Sequence, residues 1–392
     1  MTIILFDDNS RDSLLPLTFT RPVAEIRIGI LTIAEKWAYY LQRKPSYKTV
    51  EYLQEKFPLK TSEVNLYING SICPDEAILE AIDELAEGQV LVSERVTIAA
   101  KQSGTETFDF KSLTDFQVIN HPHSFTRIVF PEDIFSYNDI EMRKDYKLLT
   151  HNRISAKLSS TNTVIGNDFF IEEGVEAECS SFNSKDGPIY IGKNSQVWEG
   201  CHIRGSFALC HDSQVKMGAK IYGKTTIGPY SRVGGEINNS VLFGYSSKGH
   251  EGYLGNSVLG EWCNIGADSN NSNLKNNYNQ VRLWDYRTDN FRNTGLQFCG
   301  LIMGDHGKCA INTMFNTGTV VGVGTNIFGA GFPPNFIPDF TWGGTQGFEI
   351  YTLTKMFETA EKVYDRRNSS FNDVEQRILT EVFKLTEKNR RF

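Results

Sequence analysis

The 392-residue sequence has no run of about 18 apolar residues, no C-x-x-C pair and no excess of positive charge. Without such a run, no segment reads as a membrane-spanning helix. The seven cysteines (Cys73, Cys179, Cys201, Cys210, Cys263, Cys299, Cys309) are scattered and odd in number. That pattern argues against a zinc ribbon or a disulfide framework and reads as buried free thiols. The formal net charge is −7 with 22% charged residues, so no broad basic field exists to hold a phosphate backbone, and nucleic acid is not an expected partner. The opening "MTIILFDDNSRD" places acids where a secretion signal would continue its apolar run. The expectation is a soluble, cytoplasmic protein.

What is present divides by spacing. Residues 1–150 carry mixed α/β signals. "TIILF", "VNLYING" and "QVLVS" read as short apolar strands. "GILTIAEKWAYYLQ" has helical spacing through Ile30, Ile33, Ala34, Trp37 and Leu41. "PDEAILEAIDELAEG" has Pro74 and acids at its start, Gly88 past its end, and Ile78, Leu79, Ile82 and Leu85 on one face. Strand, helix and strand in that order predict a βαβ unit in a mainly parallel sheet.

From about residue 151 the period changes to six. Ile191, Val197, Ile203, Leu209, Val215, Ile221, Ile227 and Val233 follow at an unbroken interval of six, with Ile165 and Ile171 upstream. Leu259 and Ile265, then Met303, Cys309, Phe315, Val321 and Ile327, resume it. Six residues of α-helix turn through about 600° and would leave these anchors on drifting faces. Period six fits a short strand plus a corner, three times per coil of a parallel β-helix, with each anchor pointing into a shared core. The phase is lost between Gly234 and Asn256, around "KGHEGYLG", and a polar stretch interrupts the coil between Asn270 and Gly300. Long loops leaving a rigid solenoid commonly line its binding sites. "IYTLTKMFETAEKVYDRR" and "FNDVEQRILTEVFKLTEKN" read as amphipathic helices that pack on the coil or on a neighbouring subunit.

A hexapeptide coil behind an α/β domain resembles the GlmU family, which joins an N-terminal uridylyltransferase domain to an amino-sugar-phosphate acetyltransferase on a left-handed β-helix. The likeness is closest through Lys248-Gly249-His250, Tyr253-Leu254-Gly255, Asn264-Ile265-Gly266-Ala267 and Ser272-Asn273. It implies that His250 is the general base for a sugar amine attacking acetyl-CoA, a role suited to imidazole. It implies that Tyr253 and Asn273 hold the sugar phosphate or amine, and that the Ala267 N–H faces the thioester oxygen. The alternative for His250 is a structural corner residue. The family places a basic residue where this chain has Asn238, so Arg232 or Lys248 are candidate substitutes. His306 in "GDHGK" is either a second acid/base or CoA-contacting residue, or a corner. The insert brings Arg282, Arg287 and Arg292 with Trp284 and Tyr286, which fit either an anionic, ring-containing ligand or a surface flap or trimer contact.

The N-terminal likeness is to sugar nucleotidyltransferases, through Arg11, Pro16-Leu17-Thr18 and Arg21-Pro22 in "ILFDDNSRDSLLPLTFTRPVAE". It implies nucleotide contacts at Ser10, Arg11, Arg21 and Arg27. The family's loop glycines are Asp7 and Asn9 here, and its lysine is Val23. Ser71 stands where the family has a Mg²⁺-binding aspartate. Asp7, Ser71 and Asn138 are the candidate metal positions.

The expected fold is therefore a nucleotidyltransferase-like (Rossmann-like) α/β domain over 1–150, a left-handed parallel β-helix of hexapeptide repeats over 151–345, and C-terminal helices over 346–392. The expected function combines acyl-CoA-dependent N-acetyl transfer with sugar-1-phosphate nucleotidyl transfer for nucleotide-sugar synthesis. Its partners would be a sugar phosphate, a nucleoside triphosphate and acyl-CoA (acetyl-CoA as substrate), with Mg²⁺ for the nucleotidyl step, in a homotrimer. Two alternatives stand beside it. One is an acyltransferase whose first domain only binds sugar nucleotide. The other is a non-CoA scaffold or metal-dependent trimer using His202, His211, His250 and His306.

Overall fold

The computed structural model describes residues 1–104 and 108–392. The chain forms two compact units. Residues 1–14, 20–26 and 31–130 make the first, and residues 15–19, 27–30 and 131–392 the second. The helix over 131–150, grouped by sequence with the first domain, belongs to the second unit.

The first unit is built on a six-stranded sheet of β1 (Thr2–Phe6), β2 (Ser46–Lys48), β3 (Val64–Asn69), β4 (Gln89–Ser93), β5 (Val96–Ser103) and β6 (Gln117–Asn120), with helices α1 (Ser10–Ser13) and α2 (Ile33–Leu41) between β1 and β2 in sequence. Their order is β2-β1-β3-β5-β4-β6, and only β5 runs against the rest. β3 and β4, on either side of α3 (Glu76–Asp83) in sequence, run the same way, but β5 lies between them in the sheet. Buried Ile4, Phe6, Tyr67, Val90 and Phe108 fill one side of it. Asp75 caps α3 by accepting from the Ile78 N–H at 2.9 Å, as acids before an amphipathic run do.

The second unit is a parallel β-helix with three faces. Six strands from Thr163–Ile165 to Tyr253–Gly255 form the first face and nine from Phe169–Ile171 to Phe336–Ile337 the second. The third starts at Glu176–Ala177 and closes on the antiparallel hairpin Thr341–Gly344/Gly347–Ile350. The period-six anchors form one continuous buried core from Ile171 to Ile337. Ile165 lies outside it, 38% exposed at the open end. The apparent loss of phase is a shortening of corners and not a break. Gln214 pairs with Arg232, 18 residues on; Arg232 pairs with Ser247, only 15 on; and Ser247 pairs with Asn264, 17 on. Across this stretch Ile237, Leu242, Leu254 and Leu259 keep the core filled.

Helix α4 (Pro131–Thr150) lies on the second face, where Met142 packs with Phe170, Tyr190, Ala208 and Cys210. The segment Arg27–Ile30 threads beside it. The Gly29 N–H donates to Asn138 Oδ1 at 2.7 Å, its carbonyl accepts from Thr226 Oγ1 at 2.6 Å, and the Ile30 N–H donates to Asp145 Oδ2 at 2.8 Å. Gly29 has φ +75°, and a Cβ there would fall on Asp145 Oδ2 and 2.8 Å from the Glu141 carbonyl carbon. The C-terminal helices α5 (Leu353–Asp365) and α6 (Asp373–Leu385) pack on the coil itself. Tyr364 stacks on Trp262 at 3.7 Å and Phe383 meets Phe340 edge-on at 5.1 Å.

The 275–300 insert contains a β-hairpin, Arg282–Asp285 with Asn290–Asn293. The residues that sequence offered for a ligand are used within the unit. Trp284 stacks on Phe336 at 4.1 Å, Tyr286 donates to Asp339 Oδ2 at 2.9 Å, and Arg287 forks onto Asp285. Arg292 grips both carboxylate oxygens of Glu132, at 2.6 Å for the first, and Arg282 reaches the Phe291 carbonyl at 2.8 Å. The insert is a clamp on the coil.

Two outcomes follow from these contacts. Gly29→Ala should cost about 2–4 kcal/mol, combining a left-handed backbone with a steric clash, measured by denaturant unfolding. Burial pushes Asp339 up to about 6, against the hydrogen bonds from Val323 and Tyr286. A folded carboxyl titrating above its unfolded value holds its proton longer in the native state, so stability falls as pH rises from about 4 to about 6. Asp339→Asn removes that loss. Relative to the parent, the variant should gain about 3 kcal/mol between pH 4 and pH 7.

Candidate functional site

Strand Tyr253–Gly255 crosses the first face of the coil. Alternation puts residues 253 and 255 on one side of that strand, and Gly255 is where the Tyr253 ring lies; a Cβ there would fall on the phenol oxygen. The Tyr-Leu-Gly sequence is thus a packing solution, with glycine clearing the path of the tyrosine. The Tyr253 hydroxyl accepts from Asn273 Nδ2 at 2.9 Å, and the same amide donates to Asn256 Oδ1 at 2.8 Å. Burial pushes the phenol up, while hydrogen bonding from Asn238 and Asn273 opposes it.

Asn238 and Asn256 line a groove of about 450 Å³ together with Tyr222, Lys224, Arg204 and Phe298. Among the described residues Lys224 makes no ion pair, and Asn239 Oδ1, in the same groove, is buried without a hydrogen-bond partner. Arg204 is paired with Asp186, and Arg143 with Asp139. Amides, a phenol and an uncompensated ammonium suit a polyhydroxylated ligand carrying one anionic group. Sequence reasoning missed Arg204, Tyr222 and Lys224. The signal that finds them is the coil repeat: the Tyr222 N–H bonds the Ile237 carbonyl at 2.8 Å, which sets Tyr222 beside Asn238.

The other positions on the coil fall in different places. His250 is exposed at the corner before strand 253–255, and among the described residues its imidazole makes no hydrogen bond or ion pair. Three residues of chain separate it from Tyr253, at most about 11 Å when extended. Lys248 is only 1% exposed, in an inward position paired with Val233. Its ammonium donates to the carbonyls of His250 at 2.5 Å and Glu251 at 3.1 Å. Burial lowers it to about 8, with Glu251 opposing. Lys248 therefore holds the His250 corner from inside the core and does not face the groove. Gly252, in the same corner, has φ +114°, and a Cβ there would meet the Ser269 carbonyl.

Arg232 lies on the outer side of the third face, away from the groove lining. His306 is buried in a left-handed corner between Trp262, Tyr364 and Phe371. Ala267 is half-buried, and its N–H makes no hydrogen bond among the described residues. The corner geometry leaves that N–H open: Gly266 and Asp268 on either side donate to Cys309 and Glu251, and the equivalent position in another corner is Pro229, which has no N–H. The open donor meets a requirement for an oxyanion contact without being special to it.

In the first unit, the loop after β1 is held by its own carboxylates. Asp8 accepts from the Ser10 N–H (2.9 Å), Ser10 Oγ (2.5 Å), Asn69 Nδ2 (2.8 Å) and Arg127 Nη2 (2.6 Å). Burial raises its carboxyl, but Arg127 and the bonds from Ser10 and Asn69 outweigh that and hold it below the ordinary range. Asp7 accepts from the Val23 N–H at 2.8 Å, from Arg11 Nη1 at 3.3 Å and from Thr49 Oγ1. Burial pushes Asp7 up, with Arg11 and Thr49 opposing. Arg11 also reaches the Arg21 carbonyl at 3.1 Å and the Tyr52 hydroxyl at 3.0 Å. Ser10, Arg11 and Arg21 are thus gathered in one loop, although their donors are largely turned on the chain itself.

Arg27 is elsewhere, buried in the second unit with its guanidinium on the carbonyls of Phe243 (3.0 Å) and Ile30. Ser71 Oγ donates to Asn69 Oδ1 at 2.7 Å and accepts from Arg127 Nε at 3.1 Å. Asn138, in the second unit, spends its amide on Gly29, Lys224 and Thr226. Asp7, Ser71 and Asn138 spend their polar atoms on these protein partners and therefore do not fit a Mg²⁺ site. Among the described residues, no group of three His, Cys, Asp or Glu could hold a metal, and no helix is long and apolar enough to cross a membrane.

The Tyr253–Asn273 bond is testable by a double-mutant cycle with Tyr253→Phe and Asn273→Ala. Partly buried partners of this kind couple by about 0.5–1.5 kcal/mol, read from denaturant unfolding of the four proteins. Additive losses would show that the two side chains act independently.

With this geometry in place, comparison with known proteins adds one family. Residues 3–154 match the family described as sugar nucleotidyl transferase. A solved structure titled as an Arabidopsis UDP-N-acetylglucosamine acyltransferase is 14% identical, with 59% of this chain and 91% of that chain covered and a TM-score of 0.19. At that score the β-helix assignment rests on this chain's own strand ladders, and the N-terminal 150 residues are what is similar to sugar nucleotidyl transferases.

Proposed function

We propose that this protein is a transferase of nucleotide-sugar synthesis that acts on a sugar phosphate, with an acyl-transfer site on the β-helix and a nucleotide-handling site in the first unit. The observation that carries the reading is the match of residues 3–154 to sugar nucleotidyl transferases in a chain that continues into a β-helix. The groove beside Tyr253 supports the sugar-phosphate half, since Asn238, Asn256, Tyr222 and Lys224 offer the hydrogen bonds and positive charge such a ligand needs. The sugar would lie along strand 253–255, with its amine toward His250.

At His250 the step is proton removal coupled to acyl transfer. The imidazole takes a proton from the amine nitrogen as that nitrogen attacks the thioester carbon of acetyl-CoA. A C–N bond forms, the C–S bond breaks, and the thiol leaves with a proton. An N–H at Ala267 would stabilise the oxyanion of the tetrahedral intermediate. The Lys248 bonds to the carbonyls of His250 and Glu251 fix the corner, which lowers the entropy lost in positioning the base. A homotrimer, in which neighbouring coils cover one another's faces, belongs to the same proposal.

One observation favours a narrower role for the first unit. Asp8 occupies four donors, including the Ser10 N–H, that a phosphate would otherwise use. On that reading the first unit binds a sugar nucleotide without turning it over. The two roles separate by assay. Acetyl-CoA with glucosamine-1-phosphate should release free thiol, and His250→Ala should lower the rate by about 10²–10⁴-fold. Undiminished turnover in that variant would remove His250 as the base. Pyrophosphate release across four nucleoside triphosphates and several sugar phosphates tests the first unit, and silence throughout would reduce it to a binding module.

A further inference from the structure

The outer side of the third face carries a group of cations that form no ion pair among the described residues. Arg232 pairs in register with Gln214, two residues before Lys216 on the neighbouring strand. Lys216 Nζ donates to Gln214 Oε1 at 2.7 Å and sits 3.6 Å above the Trp198 ring. The C-terminal end of α5 is brought to this face by Tyr364, which stacks on the corner residue Trp262 at 3.7 Å. Arg366 and Arg367 follow after Asp365, and the Arg367 N–H bonds the Tyr364 carbonyl at 2.8 Å.

Arg232 and Arg367 are close enough to Lys216 to help burial depress its ammonium, and Arg232 and Arg366 act in the same way on Arg367. Among the described residues, Lys216, Arg232, Arg366 and Arg367 form no ion pair with a carboxylate, and Arg367 Nε is buried without a hydrogen-bond partner. A helix C-terminus favours basic residues and accounts for Arg366 and Arg367 alone. It gives no reason for Lys216 and Arg232 to face them, because like charges at this distance repel.

We propose that Trp198, Lys216, Arg232 and Arg367 form a binding site for a phosphate or diphosphate group. Guanidinium forks match phosphate oxygens in pairs, and neither Arg232 nor Arg367 has a carboxylate partner among the described residues. A diphosphate spans more of the cluster than a single phosphate and neutralises more of its mutual repulsion, so it is the tighter ligand. This site stands apart from the groove beside Tyr253 and does not rest on acyl transfer at His250, so either can fail without the other.

The test uses the full-length protein with inorganic pyrophosphate and inorganic phosphate as probes in calorimetric titration at low salt. Pyrophosphate should bind saturably and more tightly than phosphate. Arg232→Gln and Arg367→Gln should each weaken it at least tenfold, and Lys157→Gln, at an exposed lysine ahead of the first coil strand, should leave it within twofold. Without the anion, both arginine variants should melt no lower than the parent, because each removes repulsion. In thermal-shift measurements pyrophosphate should raise the melting temperature of the parent more than that of either variant. Three outcomes would overturn the proposal: no saturable binding, binding unmoved by either arginine variant, or a loss of self-association in Arg232→Gln with no anion binding by the parent. The last would assign the cluster to carboxylates of a second copy.

Discussion

The constraint on which the second unit depends is closure of the β-helix interior. Each coil donates its backbone to the next, so an inward side chain has no path to water and must be apolar or satisfy itself against the backbone around it. Most inward positions take the first route, from Ile171 to Ile337. Lys248 and Asn271 take the second. Asn271 donates to and accepts from the backbone of Gly255, at 3.0 and 2.9 Å. Lys248 places its ammonium on two corner carbonyls. Both exceptions fall in the coils next to strand 253–255, and both brace that strand or the corner before it.

The corners obey a second rule, and the cost of breaking it is visible. A left-handed residue recurs at the turns, where Asn194, Asp212, Asp268 and Asn312 are ordinary occupants. Tyr230, Tyr245, Trp262 and His306 take the same conformation with far bulkier side chains. Their rings stack along one edge of the coil, Tyr230 on Tyr245 at 4.9 Å and Tyr245 on Trp262 at 4.2 Å, and Tyr364 of α5 completes the pile. Stacking at each step offsets the unfavourable backbone, and the ladder gives α5 the seat that carries Arg366 and Arg367 to the third face. His306 belongs to this ladder, which explains a histidine beside glycines without invoking chemistry.

The period-six spacing made the coil legible because inward positions repeat with the strand-and-corner unit whatever the outer residues are. The stretch around "KGHEGYLG" was legible as different, but its cause was hidden. A spacing rule of six cannot distinguish a break from a shortened corner when the inward residue is a lysine. The Tyr253–Asn273 pair was visible through the resemblance, whereas Tyr222 and Lys224 were not, because adjacency across coils depends on a register that varies from 15 residues to 21, and to 44 across the insert. In the insert, the arginines and aromatics were conspicuous. Their partners Asp285, Glu132 and Asp339 lie up to 160 residues away in sequence, so the clamp could not be read from composition.

The two units treat phosphate-like charge in opposite ways. In the first, donors converging on the loop after β1 are filled by Asp8, and Arg11 and Arg127 are neutralised by Asp7 and Asp8. A ligand phosphate entering there must displace an internal carboxylate that already has ideal hydrogen-bond lengths, so its net gain is the difference between two anions and not the full binding energy. In the second, Lys224 and the Arg232 cluster have no carboxylate partner among the described residues, and an arriving anion would relieve the repulsion among like charges. Intrinsic affinity for free phosphate groups should therefore reside on the β-helix. The first unit needs a ligand with enough other contacts, such as a base and a sugar, to offset the exchange. That asymmetry follows from where the acids are placed, and it holds whichever sugar the groove accepts.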